Sequence, residues 1–535
     1  MYRKSTNAAY DEKENYKTKE QNLWPYPNQI DMGSGKLAVK YKLSSKNFPK
    51  QLRELFTPVI KDFNNFVFPK NIPNKTDNGF YNIIISNPSP IHIAHNEESY
   101  TLTVDRHAGI AIQSENYIGA VRALTTLSQL IRYDKGYIIK NVGPEALVIK
   151  DTPQYYYRSV MLDTTRHFLP VSTLLKVIRG MAFDKLNYLH LHLTDAQSFP
   201  LNIGPYTKRL SIGKTDKDGN IGAYSKEETY NSADISKIVE YAKSYGIWIV
   251  PEVDTPGHAY SWKAGYNELM VCTDCDSQRA KVCPEPSCGY LNIKPNADGG
   301  KLTETFKVIA AVWDETIRAF KIGQPGYSDK VHLGLDEVSG LIGNMGPGKD
   351  GKEEDQSGSE SCDKKGPTTD DYKGYLKKLF SYFEKTYSDI HPIIWADPIL
   401  NFGFDATESF IAKNALGLYE NMILHVWEIH ANANAPTEIP DKLNILIELG
   451  YNWIMSDAVY YYLDSGGTGN SVSQGGPIIY NKPDGTTTAT EISYPKYWMR
   501  DYPQATNTPD KPKDKLINGR PGSGWRTSWQ EIYLN

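Results

Sequence analysis

The sequence predicts an α/β protein: a TIM (β/α)8-type barrel in which an eighth unit is not evident, preceded by a small α+β domain. Three observations carry that expectation. From Tyr157 onward, short apolar runs alternate with longer helix-like stretches, the rhythm of parallel β/α units. Acidic and polar residues stand at or just past the C-terminal ends of those runs, where a barrel keeps its functional groups. Residues 1–150 follow a different pattern, which puts the domain boundary near 150 and assigns 151–535 to the barrel.

In the first domain, residues 52–66 have helical periodicity and 80–86 read as a strand. Two more strands, 99–104 and 109–113, flank the turn signal His107-Ala108-Gly109, and 117–131 again carry apolar residues at helical spacing. Seven barrel strands are expected at 158–163, 188–194, 247–253, 331–335, 393–396, 424–427 and 451–455. Insertions at 263–300, 343–369 and 464–524 interrupt the repeat, and the Gly-, Ser-, Lys- and Glu-rich stretch 346–366 reads as a solvated surface loop.

Composition narrows the function classes. The chain has 535 residues, of which 40% are hydrophobic and 12% aromatic, enough for two domains with a substantial core. A net charge of -4 without a long basic stripe lacks the footprint of a nucleic-acid binder, so a neutral polar ligand fits better. Mean hydropathy is -0.51 and no apolar run approaches bilayer length, so no membrane span is expected. The first twenty residues are charged and lack an apolar signal core; an exported protein would carry its signal outside this sequence.

The most informative segment is Val331-His332-Leu333-Gly334-Leu335-Asp336-Glu337-Val338, an apolar run ending in two adjacent carboxylates. Successive strand residues face opposite ways, so Asp336 and Glu337 share a pocket only where the strand turns into a loop. The bland alternative is an acidic helix start or a solvated turn. Two further segments have the same grammar: Pro251-Glu252-Val253-Asp254-Thr255-Pro256-Gly257-His258, and Leu189-His190-Leu191-His192-Leu193-Thr194-Asp195, which alternates with period two. The paired histidines could suit a metal, but no compact third ligand accompanies them, and the expectation is no metal and no cofactor.

With Arg158-Ser159-Val160-Met161-Leu162-Asp163-Thr164-Thr165-Arg166-His167-Phe168-Leu169-Pro170, these segments form an ordered set of four that resembles family 20 glycoside hydrolases, the β-N-acetylhexosaminidases of secreted or lysosomal eukaryotic type. The resemblance runs over most of the chain. It implies exo-hydrolysis of terminal, non-reducing N-acetyl-D-hexosamine residues from glycans or chito-oligosaccharides, with retention. Glu337 would be the proton donor, needing a raised pKa, and the substrate's own acetamido oxygen would be the nucleophile. Asp336 would steer the acetamido group and Tyr462 would bond its oxygen; Tyr460 and Tyr461 adjoin it, so its register could slip.

The resemblance also implies aromatic walls from Trp395 and Trp427, although a strand-end tryptophan is usually core. It implies a grip on sugar hydroxyls by Arg158, which could instead neutralise buried acids, and by Asp464. Asp195, Asp254, His258 and His192 would hold the acid in place. The first domain would buttress the barrel, the location would be secreted, lysosomal or vacuolar, and family members are often homodimers.

Of five cysteines, Cys272, Cys275, Cys283, Cys288 and Cys362, the first four pair like a small zinc knot, but the gap between Cys283 and Cys288 is wider than the usual two residues, so disulfides are the expectation. The family's pattern implies Cys362 bonded to one of the other four. The sequon Asn74-Lys75-Thr76 fits an exported glycoprotein.

Two features depart from the family. Leu335 stands where a second glycine is usual, and the closing Trp525-Arg526-Thr527-Ser528-Trp529-Gln530-Glu531 is not a recognisable eighth strand, which leaves an incomplete chain or an unusual variant as the expectation. The competing readings are a catalytically impaired sugar-binding relative and a two-carboxylate glycosidase with Glu252 as nucleophile.

Overall fold

The computed structural model describes residues 23–70, 72, 80–88, 97–213, 222–271, 289–296, 300–338, 367–400, 422–427, 452–456, 478–481 and 487–490. They belong to two compact units that interleave along the chain. The first takes residues through His192 together with Tyr230–Pro251 and Asp314–Lys330; the second takes Leu193–Thr229, Glu252–Trp313 and everything from Val331.

In the first unit a five-stranded sheet has the order Gln29–Asp31, Leu147–Asp151, Tyr100–Asp105, Gly109–Ser114, Tyr81–Ile85. Only the last pair is parallel. Tyr81–Ile85 alternates buried and exposed residues, as a sheet with one covered face requires. The helix Tyr117–Leu130 is almost wholly buried, and its start is fixed by the Asn116 side chain, which accepts from the Ile118 and Gly119 N–H groups. The expected helix at 52–66 begins later, as Thr57–Val67, because Pro58 has no N–H to offer a preceding turn and so serves as a helix start. Gln29–Asp31, Lys36–Ala38 and Ile131–Tyr133 escaped the sequence reading because three residues are too few to show a period.

A buried ion network joins this sheet to the first barrel strands within the same unit. Glu98, 1% exposed, accepts from Arg122 Nε at 2.6 Å, Arg158 Nη2 at 2.7 Å and Asn187 Nδ2 at 3.0 Å. Arg122 spends its remaining donors on the Tyr245 and Gly246 carbonyls. Lys185 Nζ donates to Asp151 at 2.7 Å and to the Tyr100 hydroxyl at 3.0 Å.

The parallel sheet has seven described strands in chain order: Ser159–Asp163, Tyr188–His192, Trp248–Glu252, Lys330–His332, His391–Trp395, Ile423–Val426 and Asn452–Met455. Each answers to an expected strand, with ends differing by a residue or two except at the fourth. That strand stops at His332, three residues early, because Gly334 and Leu335 adopt φ of 71° and 81°, outside any strand conformation. Register in the first unit pairs Met161 with His190, and in the second Ile393 with Ile423 and Ile423 with Asn452. The cysteines, Asn74, Tyr462, Asp464 and the closing tryptophan stretch lie outside the described residues.

Candidate active site

The left-handed bend at Gly334 and Leu335 is what lets two consecutive acids face the same way. Glu337 is itself at φ 50°, so the chain curls rather than alternating. Both carboxylates reach one imidazole: His258 Nε2 lies 3.2 Å from Glu337 Oε2 and 3.6 Å from Asp336 Oδ2. The bend is pinned from behind, since the Leu335 N–H donates to Asp254 Oδ1 at 2.8 Å and its carbonyl accepts from the Tyr372 hydroxyl at 3.3 Å. A side chain at Gly334 would force its neighbours to shift. A Cβ there would fall 1.8 Å from Asp254 Oδ1 and 2.6 Å from Asp254 Cα.

Leu335, which stands where the family has a glycine, buries its side chain fully. The positive φ, a conformation in which a Cβ meets the following carbonyl, is held by the hydrogen bonds on either side of it.

His258 is locked from its other nitrogen. Nδ1 lies 3.2 Å from Asp195 Oδ2 and 3.3 Å from Oδ1, while the Asp195 carbonyl accepts from the Ser261 hydroxyl at 2.6 Å. Burial opposes a charge on His258, but attraction from Asp195 and Asp336 and hydrogen bonds to Asp195 and Glu337 outweigh it, raising its pKa well above the usual value. The imidazole is thus clamped among carboxylates that favour its charged form.

Burial drives Asp336 well above the carboxylate range, and the negative charge of Asp254 and a hydrogen bond with it add to the rise against the pull of His258. Glu337 is the more open of the two, its side chain 35% exposed against 16% for Asp336.

Asp254, His258 and Asp336 each offer one ligand atom within 4.8 Å of the others, a spacing that could pass for a metal set. A metal there would need His258 neutral, against the pull of the carboxylates around it.

Trp395 closes the fifth strand and is 3% exposed. Its Nε1–H donates to Glu252 Oε1 at 2.9 Å, and its ring stacks on His425 at 4.2 Å. Glu252 is fully buried and also lies 3.2 Å from His332 Nδ1. Trp427, past the sixth strand, is partly buried and donates through Nε1 to Asp397 Oδ2 at 2.8 Å. Asp397 was missed by the sequence reading, although Trp395-Ala396-Asp397 repeats the grammar of an apolar strand ending in an acid. Its Oδ1 accepts from the Glu337 N–H at 3.3 Å.

Arg158 belongs to the first unit and precedes its strand, at the N-terminal end rather than the functional one. Its donors go to Glu98 and to the Lys185 and Tyr155 carbonyls, so the contacts it makes are those of a group neutralising a buried acid, not of a hydroxyl grip. Past the C-terminal end of the same strand, Arg166 is paired with Asp163 at 2.8 Å. His192 is buried at the end of the second strand, where its carbonyl accepts from Thr164 Oγ1.

Residues 155–531 match the model of the glycosyl hydrolase family 20 catalytic domain, and 23–130 match a model described as β-acetyl hexosaminidase like. The chain is 32% identical over 287 residues to β-hexosaminidase subunit B1 of Dictyostelium discoideum, covering 53% of this chain and 49% of that one. It is 29% identical over 500 residues to the chitooligosaccharidolytic β-N-acetylglucosaminidase of Bombyx mori, covering 86% and 74%. A likeness of fold, with a TM-score of 0.57 and 21% identity over 83% of this chain and 75% of the other, relates it to the Streptomyces plicatus N-acetyl-β-hexosaminidase. The chain spans about half or less of the Dictyostelium, Drosophila melanogaster and Coccidioides posadasii relatives it matches. With the catalytic-domain model matched over most of its length and paired acids at the end of its fourth parallel strand, the chain belongs to glycosyl hydrolase family 20.

Proposed function

We propose that the protein is an exo-acting β-N-acetylhexosaminidase that removes terminal, non-reducing N-acetylhexosamine residues from glycans or chito-oligosaccharides. The observation that carries this is the convergence of Asp336 and Glu337 on His258 in the stretch matched by the family's catalytic domain. Glu337, the more accessible acid, gives its proton to the glycosidic oxygen as the bond from the anomeric carbon breaks. The substrate's acetamido oxygen forms the new bond to that carbon, giving an oxazolinium ion. Water then opens the ring with retention, passing its proton to the Glu337 carboxylate.

Asp336 accepts the acetamido N–H, so its charge acts where positive charge develops. Asp195, Asp254 and His258 hold this pair in place, with Trp427 as an aromatic wall and Trp395 behind it; Tyr462 and Asp464 complete the set as the resemblance implies. Arg158 is left out of the substrate contacts because its donors are already bonded. His192 is assigned to the supporting structure. Residues 1–150 form an accessory domain that supports the barrel of 151–535 through Glu98 and the Tyr100 hydroxyl, and the eukaryotic resemblance assigns a secreted, lysosomal or vacuolar location. Among the described residues no helix is long and apolar enough to cross a membrane.

A chromogenic N-acetylglucosaminide tests the reading. Turnover should be abolished by Glu337→Gln and should require the acetamido group. Binding without turnover would establish a sugar-binding relative instead. Hydrolysis of the plain glucoside would favour the two-carboxylate route, against which stand the full burial of Glu252 and its bonds to Trp395 and His332.

A further inference from the structure

We infer that Asp397 is a positioning residue for the acid pair, tying the peptide of Glu337 to the indole of Trp427 through one buried carboxylate. The inference rests on the hydrolase reading above. Asp397 opens the short helix Asp397–Leu400 directly after the fifth strand and is 4% exposed. Its two oxygens take different donors: Oδ1 the Glu337 N–H at 3.3 Å, Oδ2 the Trp427 Nε1–H at 2.8 Å. Rotation of the carboxylate would break one or both.

The tie matters because Glu337 is held at φ 50°, a conformation that a residue with a side chain leaves readily. If the peptide relaxed to an ordinary strand or helical φ, the Glu337 side chain would swing away from His258. Fixing its N–H resists that rotation. The same carboxylate orients the indole at the end of the sixth strand, so the acid and the aromatic wall are set by one group. Burial, then the charge of Asp336, push Asp397 up to about 7, against the lowering bonds from Trp427 and Glu337. Asp336, Glu337 and the buried phenol of Tyr372 are the titratable groups coupled to it. Asp397 thus changes charge near neutrality, beside the reacting acids.

The test is Asp397→Asn in the full chain. An amide keeps one acceptor oxygen and turns an NH2 toward the other donor, so one of the two ties is lost. The expected result is a fall in kcat of about tenfold or more with KM little changed, the size of a lost hydrogen bond to a charged group. The kcat profile should also shift across neutral pH. Trp427→Phe, which keeps a ring but drops the N–H, should reproduce part of the kcat loss.

A merely structural Asp397 would lower the yield of folded protein while leaving kcat per folded molecule and its pH profile unchanged, and that result overturns the inference. If the wild-type protein turns over no N-acetylhexosaminide at all, the hydrolase reading fails and the resting protein decides. Its tryptophan fluorescence should then titrate near neutral pH, and that inflection should vanish in both variants. An inflection that persists in Asp397→Asn, or is missing from the wild type, means that Asp397 does not hold Trp427.

Discussion

Replacing Gly334 by alanine should destabilise the protein by about 3 kcal/mol and lower turnover in the same variant. A Cβ at its φ of 71° adds about 1–2 kcal/mol of left-handed backbone strain. The same Cβ would stand 1.8 Å from Asp254 Oδ1, 2.2 Å from its Cγ and 2.6 Å from its Cα. An oxygen can rotate away, but the Cα moves only with the end of the third strand. Overpacking of that kind costs about 1–3 kcal/mol. Alanine recovers only about 0.4–1 kcal/mol by stiffening the unfolded chain.

Because the displaced Asp254 carries the bond to the Leu335 N–H, the bend beneath Asp336 and Glu337 should loosen with it. Denaturant midpoints and kcat on an N-acetylglucosaminide measure the two effects. Wild-type values for both would refute the claim that this bend sets the acids. Leu335→Gly is the companion variant. It relieves about 1–2 kcal/mol of strain but forfeits a fully buried side chain worth about 2–5 kcal/mol, so it should destabilise. A gain in stability would mean that strain, not packing, dominates at that position.

Folded-state stability should fall as pH rises from acid through neutrality. Asp397 keeps its proton up to about 7 when folded but loses it near 3.8 when unfolded, so the native state binds more protons across that window and stability drops by up to about 4 kcal/mol. Raised values for Asp336, above 3.8, and His258, above 6.5, act in the same direction. Unfolding midpoints measured from mildly acidic to mildly alkaline buffers check this, and a flat or rising profile contradicts it. Glu98→Gln should be among the most destabilising single substitutions, by about 3–5 kcal/mol, because Arg122 and Arg158 would be left as buried cations without their counter-charge. Thermal unfolding and soluble yield read that out, and a midpoint within a degree or two of wild type argues against it.

What was legible in the sequence is what local pattern encodes. The apolar run before Asp336 and Glu337 announced a strand end, and two more runs with the same grammar announced a shared barrel face. The exact end of the fourth strand was not legible, since Leu335 has an ordinary β-forming side chain and only the bond between its N–H and Asp254 reveals the left-handed turn. The role of Arg158 came from the resemblance alone, with a buried-acid partner as its alternative, and only distant partners show where its donors go. Glu98 and Asp397 depend on partners 24 to 89 and 30 to 60 residues away, beyond any window in which composition signals contact.

The electrostatics of the site follow from crowding acids behind one bend. Burial holds Asp336 well above the usual carboxylate range, and the charge of Asp254 adds to the rise while His258 pulls against it. His258 is claimed by Asp195 through its other nitrogen, 3.2 Å away, so it does not answer Asp336 alone. On the hydrolase reading, an anion at Asp336 is costly in the resting site and becomes less so as positive charge grows on the substrate's acetamido group, so the contact is stronger in the transition state than on arrival.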